Sequence, residues 1–245
     1  MVHLQLHDVC LDYPIYGTYD FLLKRRLLGH FLKQESEMRV VRALDHISFR
    51  ADVGARIGLQ GPNGSGKSTL LRLIARVYPP TSGSVSLAGN VMPLLGLNVG
   101  ANLDFAAEEN IRLLLRISGH TPTQKIIDDI WAFTELDERM RRVPLRTFSS
   151  GMLMRVLFAT ATASPADILL LDEWLSVVDE KFSAKAEQRL RKLISMAAIV
   201  VIASHDQALL RRICTSIIKL DHGRIAQTTH VDRGAELLLL KEMRA

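Results

Sequence analysis

The chain predicts an α/β fold: a mainly parallel sheet core covered by helices, with an N-terminal antiparallel β part and an inserted helical subdomain. Three observations lead there. Ile168–Leu171 and Ile199–Ala203 are short, wholly apolar runs of the kind that form strands buried on both faces. Strand-like and helical segments alternate along much of the chain, the pattern of a parallel sheet. A Gly-rich loop at 61–68 joins an apolar strand to a helix.

The elements follow in order. Leu4, Leu6 and Val9 alternate with His3, Gln5 and His7, which predicts a strand. Ala43–Phe49 reads as a second strand, ended by a turn at Asp52–Gly54. Ile57–Leu59 is a short apolar strand leading into the Gly-rich loop, and Leu70–Val77 continues as a helix. After a turn at Pro79–Gly83, Ser84–Ala88 is again strand-like. Long helical patterns, such as Asn110–Ile117 and Gln124–Thr134, then dominate a subdomain at about 97–165. Alternation resumes with Ile168–Leu171, a helix near Ala184–Ile194, Ile199–Ala203, a helix at Gln207–Cys214, and Ser216–Leu220. A short amphipathic helix at 235–243 is expected last. The whole, 1–245, reads as one domain.

Composition narrows the classes. Of 245 residues, 48% are hydrophobic, enough for a sizeable core. The two cysteines, Cys10 and Cys214, have no metal-ligand spacing and suit a reducing compartment. The charged, alternating N-terminus is not a signal peptide, and the apolar runs are too short to cross a bilayer. A net charge of +5 suits an ordinary solvated surface as well as an anionic partner, so it decides nothing alone.

The chemistry begins at Gly61, Pro62, Asn63, Gly64, Ser65, Gly66, Lys67 and Ser68, which fit the pattern G-x-x-x-x-G-K-[ST], with Thr69 next. The glycines let backbone N–H groups curl around phosphate oxygens, and the helix N-terminus adds its dipole. Lys67 is expected to reach the β- and γ-phosphates and the Ser68 hydroxyl to bind Mg2+. A second half is needed to hold the metal. Asp172 ends the apolar run and can hold the metal, and Glu173 beside it can polarise an attacking water as general base. His205 follows Ile199–Ala203 at the same kind of strand end and can hydrogen-bond a γ-phosphate. Alone, Glu173 would read as a surface carboxylate and His205 as a loop histidine; their company with the phosphate loop decides otherwise.

The order of these motifs, with Phe148-Ser149-Ser150-Gly151-Met152 between the helical insertion and Asp172-Glu173, resembles the nucleotide-binding domain of an ABC transporter along essentially the whole chain. That resemblance implies ATP and Mg2+ as cofactors, and ATP hydrolysis with Glu173, His205 and Lys67 as the catalytic set. It implies Tyr13 as the aromatic stacked on adenine, with Tyr16 as rival and a merely packed ring as the ordinary alternative. It also implies that Ser149, Ser150, Gly151 and Met152 meet the γ-phosphate held by a second copy of the chain, with Asp179 at the dimer interface. A hydroxyl, a small residue and a helix N-terminus suit that role, although Ser149 or Ser150 can equally serve as the helix cap.

The Ser-Ser-Gly-Met turn is similar to that of ATP-binding subunits of bacterial polysaccharide exporters serving O-antigen, capsule and teichoic acid. Asp172–Asp179 with Phe182, Pro93–Leu97 with Glu109-Asn110-Ile111, and Tyr13-Pro14-Ile15-Tyr16 before a basic insertion agree. The partners so implied are a homodimer, an integral membrane permease and a lipid-linked glycan as cargo, with no nucleic acid. The place implied is the cytoplasmic face of the inner membrane, peripheral via the permease. The alternatives are an ABC transporter for another substrate and a soluble ABC ATPase; translation types carry two such domains and repair types a long coiled coil, and this chain reads as neither. Nor does it have the length for an appended carbohydrate-binding domain.

One departure stands out. Where such domains carry Gln, or these exporters often an acid, spacing places Gly96, with Asn98 as a possible substitute. A glycine offers no side chain to metal or water, so slow or differently coupled hydrolysis is expected. The insertion at about 17–40 is a separate matter. As a helix, it clusters Leu23, Leu27, Leu28, Phe31 and Leu32 opposite Arg26, His30 and Lys33. Such a helix lies in a membrane interface or contacts an anionic lipid-linked headgroup, or else packs on its own domain with a solvated basic face. Charge reversal at Lys24, Arg25 and Arg26 should therefore impair export in cells while leaving the ATPase rate of the purified chain unchanged; intact export would remove the membrane role.

Overall fold

The protein is described by a computed structural model covering residues 1–14, 40–95, 100–172 and 180–231. Two sheets carry the fold. The first is antiparallel, in the order β2-β1-β4, from β1 (His3–Pro14), β2 (Val40–Asp52) and β4 (Ser82–Ala88). The second has the order β5-β6-β7-β3-β8-β9. In it β5 (Val91–Leu94), β6 (Ile168–Asp172), β7 (Ile199–Ala203), β3 (Arg56–Gln60) and β8 (Ser216–Asp221) run parallel, and β9 (Arg224–His230) returns antiparallel.

The apolar runs are continuous because the central strands are covered on both faces. Side chains alternate across a strand. Ile168 and Leu170 of β6 and Ile199, Val201 and Ala203 of β7 therefore enter one core, shared with Leu70, Leu71, Leu73 and Ile74 of helix α1 (Lys67–Ile74) and with β1 and β2. Leu169, Leu171, Val200 and Ile202 enter the opposite core, against Leu190 and Leu193 of α5 (Glu180–Met196) and Leu210 of α6 (Gln207–Ile213).

The helical part has a core of its own. Helices α2 (Ala107–Ile117), α3 (Gln124–Thr134) and α4 (Ser150–Ala161) gather Ile111, Leu115, Ile127, Ile130, Trp131 and Val156. Thr123 starts α3, accepting from the Ile126 N–H, and Glu135 ends it in a left-handed conformation. Two short 3-10 turns, Glu138–Arg142 and Leu145–Thr147, lead into α4.

Fold class and most elements match the sequence reading. Helix α1 differs: it begins at Lys67, three residues before Leu70, because Gly66 in a left-handed conformation (φ 103°) opens it and the polar Lys67, Ser68 and Thr69 form its first turn. Strands β5 and β9 were not expected. The basic insertion, the helix expected at 235–243 and Gly96 with Asn98 lie outside the described residues.

Asn110, fully buried in α2, pins the loop before that helix. Its Nδ2 donates to the carbonyls of Asn102 (2.9 Å), Phe105 (3.1 Å) and Ala106 (3.1 Å), while its Oδ1 accepts from the Asn102 N–H at 2.8 Å. Glu109 Oε2 caps the same turn from the Ala106 N–H. Leaving one such group unpaired costs about 1–3 kcal/mol. Asn110→Ala should therefore lose about 3 kcal/mol, a fall in Tm of roughly 6–12 °C for a domain this size. Thermal unfolding followed by calorimetry checks this.

Candidate active site

The phosphate loop is a tight backbone arch between β3 and α1. Ser65 N donates to Pro62 O at 3.2 Å, and Leu70 N donates to Gly66 O at 2.8 Å to begin the helix. Gly61 cannot be replaced without movement: a Cβ there would lie 2.3 Å from Leu220 O and 2.6 Å from Ser65 Oγ. Lys67 is buried, and its Nζ donates back to Gly61 O (2.8 Å) and Pro62 O (3.1 Å). The ammonium is thus held over the loop it springs from. Pro62, Asn63 and Gly64 are exposed at the crest, and Ser68 and Thr69 are half-buried at the helix start.

The parallel register brings the other groups to this edge. Leu59 pairs with Ala203, and Ala203 pairs with Asp172. One row across β3, β7 and β6 therefore ends in three neighbouring outlets. The loop leaves two residues past Leu59, Ser204 and His205 leave just past Ala203, and Asp172 is itself the last residue of β6. Ser204 N donates to Leu59 O at 3.4 Å, and exposed Asp206 caps α6, its Oδ1 accepting from the Leu209 N–H at 3.0 Å. His205 is exposed at the edge. An ammonium, a hydroxyl, a carboxylate and an imidazole thus converge where a helix N-terminus faces outward, an arrangement able to neutralise a polyphosphate and its cation. Glu173 and Asp179 lie outside the described residues, as does Tyr16.

Two predicted groups lie on other elements. Ser149 caps α4: its Oγ accepts from the Met152 N–H at 3.3 Å, and the hydroxyl proton stays available to an outside acceptor. Ser149 and Ser150 are exposed, Gly151 and Met152 half-buried, and Phe148 anchors the turn in the helical core. Tyr13, late in β1, is half-buried and meets Tyr78 edge-on with ring centroids 5.4 Å apart.

A family model described as ABC transporter matches residues 44–176. The chain belongs to the ABC transporter family. It is an ABC ATPase whose similarity to individual relatives extends well beyond the matched span. It is 38% identical over 232 residues to the O-antigen export system ATP-binding protein RfbE of Yersinia enterocolitica, covering 92% of this chain and 97% of that one. It is 31% identical over 241 residues to an O-antigen export system ATP-binding protein RfbB of Klebsiella pneumoniae, covering 96% of each. It is 31% identical over 228 residues to the teichoic acids export ATP-binding protein TagH of Listeria monocytogenes, covering 92% of this chain and 66% of that one. Among solved structures, a dimeric post-hydrolysis state of an ATP-binding cassette bound to ADP and Pi is similar in fold, with TM-score 0.69 at 23% identity over 94% of this chain and 99% of that one.

Sequence reasoning missed what holds the loop of this ABC ATPase in place. The turn between β8 and β9 wedges against it: Gly223 N donates to Ser65 O (3.1 Å), and Gly223 O accepts from Asp45 N (2.9 Å). Gly223 has φ 77°, and a Cβ there would lie 2.7 Å from Ala43 O. Asp45, buried on β2, locks the wedge by accepting from Arg224 Nε (2.5 Å) and Arg42 Nη1 (3.2 Å). A His-Gly-Arg turn with strands on either side was the available signal, but its target lies far away in sequence.

The Arg224 guanidinium, with Arg42 behind it, holds the Asp45 carboxyl below its ordinary value despite burial. A depressed carboxylate contributes stability that is complete above its unfolded value, about 3.9, and lost as pH falls through the folded value. Asp45→Asn should therefore lower Tm at pH 7, with the gap to the parent protein closing as pH falls below about 4. A gap of constant size across that range would contradict the ion-pair account.

Proposed function

We propose that the chain is the ATP-hydrolysing motor subunit of a bacterial ABC exporter for a lipid-linked polysaccharide of O-antigen, capsule or teichoic-acid type. The motor reading is supported above all by the shared register row, which puts the phosphate loop, Asp172 and His205 on one sheet edge. The cargo reading is supported by likeness along nearly the full length of an O-antigen export ATP-binding protein.

In this reading the loop N–H groups and Lys67 bind and orient the β- and γ-phosphates. Ser68 and Asp172 offer a hydroxyl and a carboxylate, the hard oxygen donors that suit Mg2+, and these two would hold it. When bound, the ion supplies charge neutralisation at the phosphate oxygens. Glu173 takes the proton of the attacking water, and His205 hydrogen-bonds the γ-phosphate and keeps that water in line. The main contribution of the chain is positioning and charge stabilisation.

Each chain supplies one phosphate loop and one Ser-Ser-Gly-Met turn. The turn belongs to a helical part with its own core and offers an exposed hydroxyl at a helix N-terminus. Two copies facing each other would complete two sites, each closed by the partner's Ser149, Ser150, Gly151 and Met152, with Tyr13 on the adenine and Asp179 along the interface. Among the described residues no helix is long and apolar enough to cross a membrane. By likeness to O-antigen export ATP-binding proteins, a permease is the proposed anchor, at the cytoplasmic face of the inner membrane.

Glu173→Gln removes the base and leaves phosphate binding intact. It should lower ATP turnover by at least about 100-fold and convert the chain to an ATP-dependent dimer, read by light scattering with and without ATP. A variant that binds ATP and stays monomeric would count against the paired arrangement.

A further inference from the structure

We propose that Cys10, Asp45 and His46 form a binding site for a borderline-soft divalent cation such as Zn2+, separate from the nucleotide edge. The three ligand atoms, a thiol sulfur, a carboxylate oxygen and an imidazole nitrogen, lie within 4.8 Å of one another. They come from paired strands, Cys10 on β1 and Asp45 with His46 on β2.

The local backbone is built to bring them together. The β1–β2 ladder is irregular here, with register shifts between Leu6 and Val9 and between Val9 and Leu11. Asp8 (φ 52°) and His46 (φ 53°) both adopt the left-handed conformation, which costs non-glycine residues energy. The result is a carboxylate behind an imidazole: His46 Nδ1 lies 2.6 Å from Asp8 Oδ1. An ionised carboxylate only accepts, so in the neutral imidazole that binds a metal Nδ1 carries the proton and Nε2 the lone pair. That lone pair sits 3.8 Å from Asp45 Oδ1, too far for a hydrogen bond and close to the separation of two ligands on one ion. Carboxylate–histidine–metal relays have this form.

The other two ligands are also prepared. Cys10 Sγ accepts from the His46 backbone N–H at 3.4 Å, which holds the sulfur beside the histidine. Asp45 uses Oδ2 for Arg224, while Oδ1 faces Arg42, a half-exposed side chain that keeps Asp12 as a second partner. The cation can therefore take Oδ1 in place of Arg42 without releasing Arg224. Donors around tetrahedral Zn2+ stand about 3.3–3.7 Å apart, so side-chain shifts of about 1 Å close the site. Cys10 and Asp45 are buried and His46 is exposed, which gives the ion an entry path and leaves water for the fourth position. Binding replaces the thiol proton, which leaves to solvent: Cys–SH + M2+ gives Cys–S–M+ + H+. A thiolate, an imidazole and a carboxylate together select Zn2+ or Co2+ over Mg2+.

The test uses the reduced, nucleotide-free full chain with Co2+ as optical probe and Zn2+ in calorimetric titration. One equivalent of Co2+ should give a thiolate-to-metal charge-transfer band that Zn2+ displaces, with a proton released. Cys10→Ser and His46→Ala should each abolish the band, Asp8→Asn should weaken Zn2+ binding by about 10-fold, and Cys214→Ser should change nothing. His46 is exposed, so its variant keeps the test valid if Cys10→Ser folds poorly. Absence of the band in the parent protein, its survival in His46→Ala, or its loss in Cys214→Ser would overturn the proposal.

Discussion

A row of three residues in register, Leu59, Ala203 and Asp172, fixes where the groups proposed to handle phosphate stand. Strands far apart in sequence leave the sheet at the same level because they share this register. A slip of one residue would turn every apolar side chain of β6 or β7 to the wrong core. The packing that makes the register costly to change is therefore the same packing that assembles the site.

The row alone does not shape the loop. Gly61 and Gly66 allow the arch, and Gly223 braces it from the hairpin. Asp45 joins that brace to the antiparallel sheet through Arg224. The proposed cation site uses the other oxygen of that same carboxylate, the one that accepts from Arg42, so β1, β2, the hairpin and the loop share one small electrostatic node.

Much of this was legible in the sequence, for physical reasons. Ile199–Ala203 was read to the residue because both its faces are buried and no polar residue interrupts it. Helix α3 was read to the residue from its helical pattern, and Thr123 caps its start. The turn from β3 into helix α1 was legible because its clustered glycines permit the left-handed backbone that joins them. Strand β9 was not, since RIAQTTH is largely exposed at a sheet edge and lacks an apolar signature. Strand β5 was hidden by its shortness and by Pro93. The roles of Gly223, Asp45 and Asn110 depend on approach between distant segments, which no local pattern encodes.

The central claim is that a working site needs the phosphate loop of one copy and the Ser-Ser-Gly-Met turn of another. The direct measurement is ATPase activity on mixing two inactive variants, Lys67→Ala and Gly151→Asp, the second placing a carboxylate against the γ-phosphate. Mixed pairs would contain one site with both halves intact, so activity should appear that neither variant has alone. Mixed samples that form dimers yet remain as inactive as their components would contradict the account.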